Sequence, residues 1–140
     1  MSHACQNLII RCMDFRLEPA FEIWLKDNGY LGEADIISIA GSCKNIAADP
    51  NSCFATEILS QIDLGYQKHG VRKILLTMHR DCGAYGGQKA FETAEAEKMK
   101  LVADMKKVKD LLQAKYQDIA VLMFLVIQEG EGWKLERISD

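Results

Sequence analysis

At 140 residues, with 49% hydrophobic side chains and a formal net charge of −3, the chain is long enough to bury one core, and a single domain over residues 1–140 is expected. The acidic balance and the lack of a dense Lys/Arg cluster exclude the electrostatic footprint that nucleic acid or an acidic membrane surface requires, and no apolar run is long enough to cross a bilayer. The expected partner is a small molecule.

The five cysteines, Cys5, Cys12, Cys43, Cys53 and Cys82, are odd in number, and the N-terminus lacks the basic-then-apolar pattern of a secretory signal. A reducing, cytoplasmic location is expected, where a cysteine serves as ligand, nucleophile or small buried hydrophobe more often than as a disulfide partner.

The first element in chain order is a short Ile/Leu-rich segment, Asn7 to Cys12, which reads as a buried parallel strand. Leu17, Phe21, Trp24 and Leu25 then share one helical face, with Pro19 tolerable in the first turn. Asp35 to Ala40 forms a second strand. Phe54, Ile58, Leu59, Ile62 and Tyr66 mark a second helix after a Ser52 cap.

Lys73 to His79 is the third strand. The glycine-rich stretch Gly83 to Gly87 is expected to begin a helix, either offering N–H groups to an anion or, more simply, letting the chain turn tightly. A long helix from Glu92 to Tyr116 carries an apolar stripe, Leu101, Met105, Val108 and Leu112, opposite solvated Lys98, Lys100, Lys106, Lys107 and Lys109. Ile119 to Ile127 is a fourth strand. Trp133 to Ile138 follows after a link too short for a parallel crossover, so it should run antiparallel at an edge.

This βαβαβαββ order predicts an α/β, doubly wound, mostly parallel five-stranded sheet in the order 2-1-3-4-5, with an antiparallel edge strand 5 and helices on both faces. In that order the chain reverses direction between strands 1 and 3, and ligands bind at their carboxyl ends. Cys12 closes strand 1, His79 closes strand 3, and Cys82 lies three residues on. Two thiols and an imidazole are donors that zinc prefers, and three ligands with a fourth position open is a catalytic arrangement. His-x-x-Cys by itself is common by chance; its place at the switch point is what gives it weight. Asp14 and Arg16, two and four residues past Cys12, would leave the strand end as a loop, a carboxylate and a guanidinium beside the metal. The plainer reading of that pair is a surface ion pair.

Cys12-Met13-Asp14-Phe15-Arg16 resembles the Cys-x-Asp-x-Arg motif of β-carbonic anhydrases, and His79-Arg80-Asp81-Cys82-Gly83 resembles their His-x-x-Cys-Gly motif. The resemblance implies zinc on Cys12, His79 and Cys82, with Asp14 and Arg16 as the catalytic dyad. It implies reversible hydration of carbon dioxide to bicarbonate by a metal-bound hydroxide, whose proton Asp14 accepts in a hydrogen bond while Arg16 holds Asp14. With two thiolates on the metal, activity should rise with pH. Family members also have a closed form in which this Asp moves onto zinc. A homodimer or higher homo-oligomer is implied too, but assembled without the family's helical arm, because the first strand starts within ten residues. Ser38-Ile39-Ala40-Gly41-Ser42 stands where the family often has Arg-Asn-Ala-Gly. The Ala-Gly turn survives and its polar lead-in does not. Cys43, just beyond, reads as a loop cysteine, and His3 and His69 have no assigned role.

Three alternatives stay open: hydrolysis of carbonyl sulfide or carbon disulfide on the same scaffold, a catalytically silent zinc or anion-binding protein, and thiol chemistry by Cys12 or Cys82. The last is disfavoured because the chain has no Cys-x-x-Cys.

Overall fold

The computed structural model describes residues 2–140. Five strands, β1 (Asn7–Arg11), β2 (Ala34–Ser38), β3 (Lys73–His79), β4 (Ala120–Glu129) and β5 (Gly132–Ile138), form one sheet in the order β2-β1-β3-β4-β5. β1 pairs in parallel with β2 and β3, β3 with β4, and β5 closes the edge antiparallel to β4. The expected fold and strand order are therefore observed. The last hairpin is tighter than anticipated: Glu129 pairs with Gly132, leaving Gly130 and Glu131 as the loop. Gly130 takes a φ of +59°, which the two-residue turns that match strand twist require.

Four α-helices surround the sheet: α1 (Glu18–Asp27), α2 (Lys44–Ala48), α3 (Cys53–Leu64) and α4 (Ala94–Lys115). Side chains alternate across a strand, and the core divides accordingly. Leu8 and Ile10 of β1, Ile74 and Leu76 of β3 and Met123 of β4 pack with Ile46 of α2, Ile58 and Ile62 of α3, and Leu101, Met105, Val108 and Leu112 of α4. Ile9, Leu75, Phe124 and Val126 face the other way, onto Phe21 and Leu25 of α1. Each fully buried aliphatic side chain contributes roughly 1.5–3 kcal/mol of transfer free energy.

Several local expectations are revised. Ser52 does cap α3, its Oγ accepting from the Ala55 N–H at 3.1 Å, but Phe54 stays exposed while Ala55 takes the inward position. α3 ends in a π-helical turn, Gly65–His69. The short α2 was not anticipated, since five residues give too little periodicity to read. The glycine-rich stretch opens only a 3₁₀ turn, Gly83–Tyr85. Gly86 and Gly87 then take φ of +87° and +75°, which a continuing helix cannot accommodate. Of the lysines expected in solvent, Lys109 is half-buried and ion-paired with Asp140.

Candidate metal centre

The register places the carboxyl ends of β1 and β3 side by side, Ile10 opposite Leu76. Cys12 follows β1 directly, His79 ends β3, and Cys82 stands at the start of the 3₁₀ turn that follows. The Sγ atoms of both cysteines and a ring nitrogen of His79 lie within 4.8 Å of one another, all three residues buried. The two sulfurs are 3.9 Å apart. Two thiolates, each ~2.3 Å from a tetrahedral ion, stand roughly 3.8 Å apart, so the spacing suits zinc without rearrangement.

His79 is set up as a donor. Its Nδ1–H donates to the Arg80 carbonyl at 2.8 Å. That bond fixes the tautomer and leaves Nε2 with a lone pair. Nε2 is buried and has no hydrogen-bond partner, an arrangement that is destabilising for a buried polar atom unless something binds there. Cys12 Sγ accepts from the Gly41 N–H at 3.4 Å. The Cys12 thiol is pulled down, chiefly by the hydrogen bond from Cys82 and also by the Gly41 N–H. Cys82 is pushed up by the neighbouring Cys12 sulfur and by burial. The pair therefore favours one thiolate and one thiol, and a cation is what would ionise both.

Asp14 stands just past Cys12 and caps the 3₁₀ turn Phe15–Leu17, its Oδ1 accepting from the Arg16 N–H at 2.9 Å. Arg16 grips the same carboxylate through Nε, at 3.1 Å to both oxygens, and through Nη2, at 2.7 Å to Oδ2. These bonds hold the Asp14 carboxyl below its usual range. Oδ2 lies 3.8 Å from His79 Nε2, so Asp14 borders the donor cluster while remaining bound to Arg16. An open hollow of about 460 Å³ leads to this point, lined by Met13, Asp14, Phe15, Ala40, Gly83 and Ala84 among others. A larger groove, about 510 Å³, runs between α1 and β5 and shares only Arg16 with the chemistry.

All five expected site residues therefore converge. Cys43 does not join them: it is fully buried in the other core layer, and burial pushes its thiol up to about 12. His69 bonds Asp35 through Nδ1 at 2.7 Å, at the amino ends of the strands and away from Asp14. His3 lies outside every helix and strand.

Sequence reasoning missed the supports. Glu97 of α4 is only 1% exposed. It pairs with Arg80 and accepts from the Asp81 N–H at 2.9 Å, tying α4 to the turn between His79 and Cys82. Asp104 accepts from the Tyr85 hydroxyl at 2.6 Å. A signal existed, for both carboxylates fall on the buried stripe that Leu101, Met105 and Val108 define. Trp133 of β5 sits edge-on to His79 at 5.8 Å and beneath the Arg16 guanidinium at 5.3 Å.

Over residues 2–139 the chain matches the family model described as "Putative carbonic anhydrase". An uncharacterized protein of Rickettsia conorii is 29% identical over 127 residues, 89% of this chain and 68% of that protein. Another, from Rickettsia bellii, is 25% identical over 127 residues, 89% of this chain and 77% of that one. Among solved structures, a carbonic anhydrase from Glaciozyma antarctica aligns with a TM-score of 0.63 at 19% identity, covering 99% of this chain and 85% of its own. The β-carbonic anhydrase CafD of Aspergillus fumigatus aligns at 0.61 with 9% identity, covering 98% and 90%. At such identities these two speak for the fold. With the family match spanning nearly the whole length, this chain belongs to the "Putative carbonic anhydrase" family, as a divergent member with the β-carbonic anhydrase fold.

Proposed function

We propose that this chain is a zinc enzyme interconverting carbon dioxide and bicarbonate, with Cys12, His79 and Cys82 holding the metal, Asp14 accepting the hydrogen bond of the attacking group and Arg16 holding Asp14. The observation that carries the reading is the buried Nε2 of His79, left without a hydrogen-bond partner and clustered with two thiols 3.9 Å apart. Membership of the family supports the substrate. Zinc, when bound, supplies the Lewis acidity that makes a water nucleophilic close to neutral pH.

The remaining work belongs to the chain's own groups. Arg16 keeps Asp14 ionised and fixes both its oxygens, so Oδ2 is ready to accept a hydrogen bond from the attacking water or hydroxide and orient it. Because Arg16 is committed to two carboxylates, it orients Asp14 and does not serve as a free anion clamp. Met13, Phe15, Ala40 and Ala84 line an approach that an uncharged, apolar substrate crosses with little desolvation. The exposed Met13 and Phe15 at its rim support a homodimer or higher homo-oligomer that contacts this face without closing the approach. Five free cysteines suit the reducing cytoplasm.

Metal content and stopped-flow carbon dioxide hydration on one preparation, from neutral to mildly alkaline pH, test the reading. The expected result is about one zinc per chain and a rate that rises with pH and collapses in Asp14→Asn. Zinc without hydration overturns the activity, and hydrolysis of carbonyl sulfide by that preparation would replace the substrate.

A further inference from the structure

Asp81, between the two donors His79 and Cys82, has every polar group engaged. Its N–H donates to Glu97 Oε2 at 2.9 Å, and its Oδ1 accepts from the Gln88 N–H at 2.9 Å. Its Oδ2 accepts from Arg16 Nη1 at 3.1 Å, and its carbonyl accepts from Arg16 Nη2 at 3.0 Å. Its φ is +57°, a left-handed conformation that is unfavourable for a residue with a side chain and marks a place where local strain is tolerated for a purpose.

The geometry points to Asp81 as a positioning residue that holds Arg16, and through it the Asp14 carboxylate, in register with the donor atoms. This rests on the roles given to Asp14 and Arg16 above. An Asp and an Arg two residues apart on a half-exposed loop form a pair that is worth little, and the bond from the Arg16 N–H to Asp14 Oδ1 ties the carboxylate only to its own turn. Nothing in the Asp14–Arg16 contact fixes where that unit stands relative to His79 and Cys82. Asp81 supplies that link, because it is covalently two residues from His79 and one from Cys82. It grips the Nη1–Nη2 edge of the guanidinium, next to the Nε–Nη2 edge that Asp14 takes, through its carboxylate and its backbone carbonyl. The fork of a planar guanidinium, held at both ends, loses its rotation and fixes the carboxylate beyond it. Asp81 is in turn held by the buried Glu97 of α4, so the rigidity of the long helix reaches Asp14 through two carboxylates and one guanidinium.

The test is Asp81→Gly, which keeps the left-handed backbone without steric strain and deletes the grip of the side chain. Asp81→Asn, which also tolerates the left-handed region and removes only the charge, serves if the glycine variant does not fold. Two quantities are read: solvent exchange of the Arg16 Nη1–H, the proton given to Asp81, by nuclear magnetic resonance, and kcat and KM for carbon dioxide hydration at matched zinc content. The expected result is Arg16 Nη1–H exchange faster by about tenfold or more and kcat lower by about tenfold, the usual scale for removing an outer support. KM and zinc per chain should stay near wild type. Unchanged Arg16 exchange overturns the anchor. Faster exchange with unchanged kcat in an active enzyme overturns its role in positioning Asp14, and loss of zinc in place of kcat reassigns Asp81 to a structural role. If the wild type does not hydrate carbon dioxide, the functional reading above fails by itself, and the exchange measurement still decides whether Asp81 holds Arg16.

Discussion

Carboxylates outnumber cations around the candidate centre, and each has a separate task. Asp14 borders the metal donors, Asp81 holds Arg16, and Glu97 holds Arg80 and the Asp81 backbone. Glu97 is the most deeply buried of them, so its loss should be felt in the fold before the chemistry. Glu97→Gln is expected to destabilise the protein by about 1–3 kcal/mol, because a charge-assisted bond is weakened and Arg80 loses its buried partner. Urea unfolding measures this, and a midpoint equal to wild type would remove Glu97 as a structural tie. If zinc binds as proposed, Cys82→Ser should eliminate stoichiometric zinc from the purified protein, since one of the three candidate donors changes from thiolate to hydroxyl. Metal analysis after dialysis checks it.

At the scale of elements, the turn after β2 is what closes the inner wall of the site. Gly41 has a φ of +78°, and a Cβ placed there would lie 2.9 Å from the Cβ of Ala84. The same residue donates its N–H to Cys12. Gly41→Ala is therefore expected to destabilise by about 1–3 kcal/mol through overpacking, and to weaken zinc retention as the N–H shifts away from the sulfur. Paired urea and zinc-competition titrations would show both effects, and a neutral variant would mean that the Gly83–Tyr85 turn yields easily. The Ala-Gly pair was legible in the sequence as a turn. Its contact with Ala84 was not, because the two segments meet only once β1 and β3 lie adjacent. Trp133 is similar: its place on an edge strand could be read from the sequence, whereas its packing on His79 and Arg16 depends on the hairpin's register against β4.

The whole molecule couples these parts to its stability. A metal that binds the folded chain alone raises stability with its free concentration, by about 2.7 kcal/mol at a hundredfold excess over Kd. Zinc should therefore raise the melting temperature and a chelator lower it, by calorimetry, and insensitivity to both would count against a zinc site. At the end of α4 away from the site, Tyr116 caps the helix and donates to Asp63 of α3 at 2.9 Å. Burial and that carboxylate push its phenol up. A folded value above the unfolded one, about 10, means that this stabilisation is complete below pH ~10 and is lost as pH rises through the folded value. Tyr116→Phe should therefore show a shallower loss of stability above pH ~10 than wild type, read from urea midpoints across alkaline pH; parallel curves would refute the assignment.

The sheet order and the two loops that carry the candidate donor residues could be read from the amino-acid sequence. Period-2 and period-3.6 patterns are local, and the switch point of a doubly wound sheet follows from connectivity alone. Cys12, Asp14, Arg16, His79 and Cys82 were legible for the same reason, being short-range motifs at the ends of readable strands. Which Arg, Asp and Glu side chains support them emerges from the folded chain. Arg16 reaches Asp81 across 65 residues of sequence, and Glu97 reaches the same turn from a helix whose pattern marks it only as a carboxylate on a buried stripe. Such partners are chosen by distance in space and by the need of buried charge for a counter-charge, neither of which periodicity encodes.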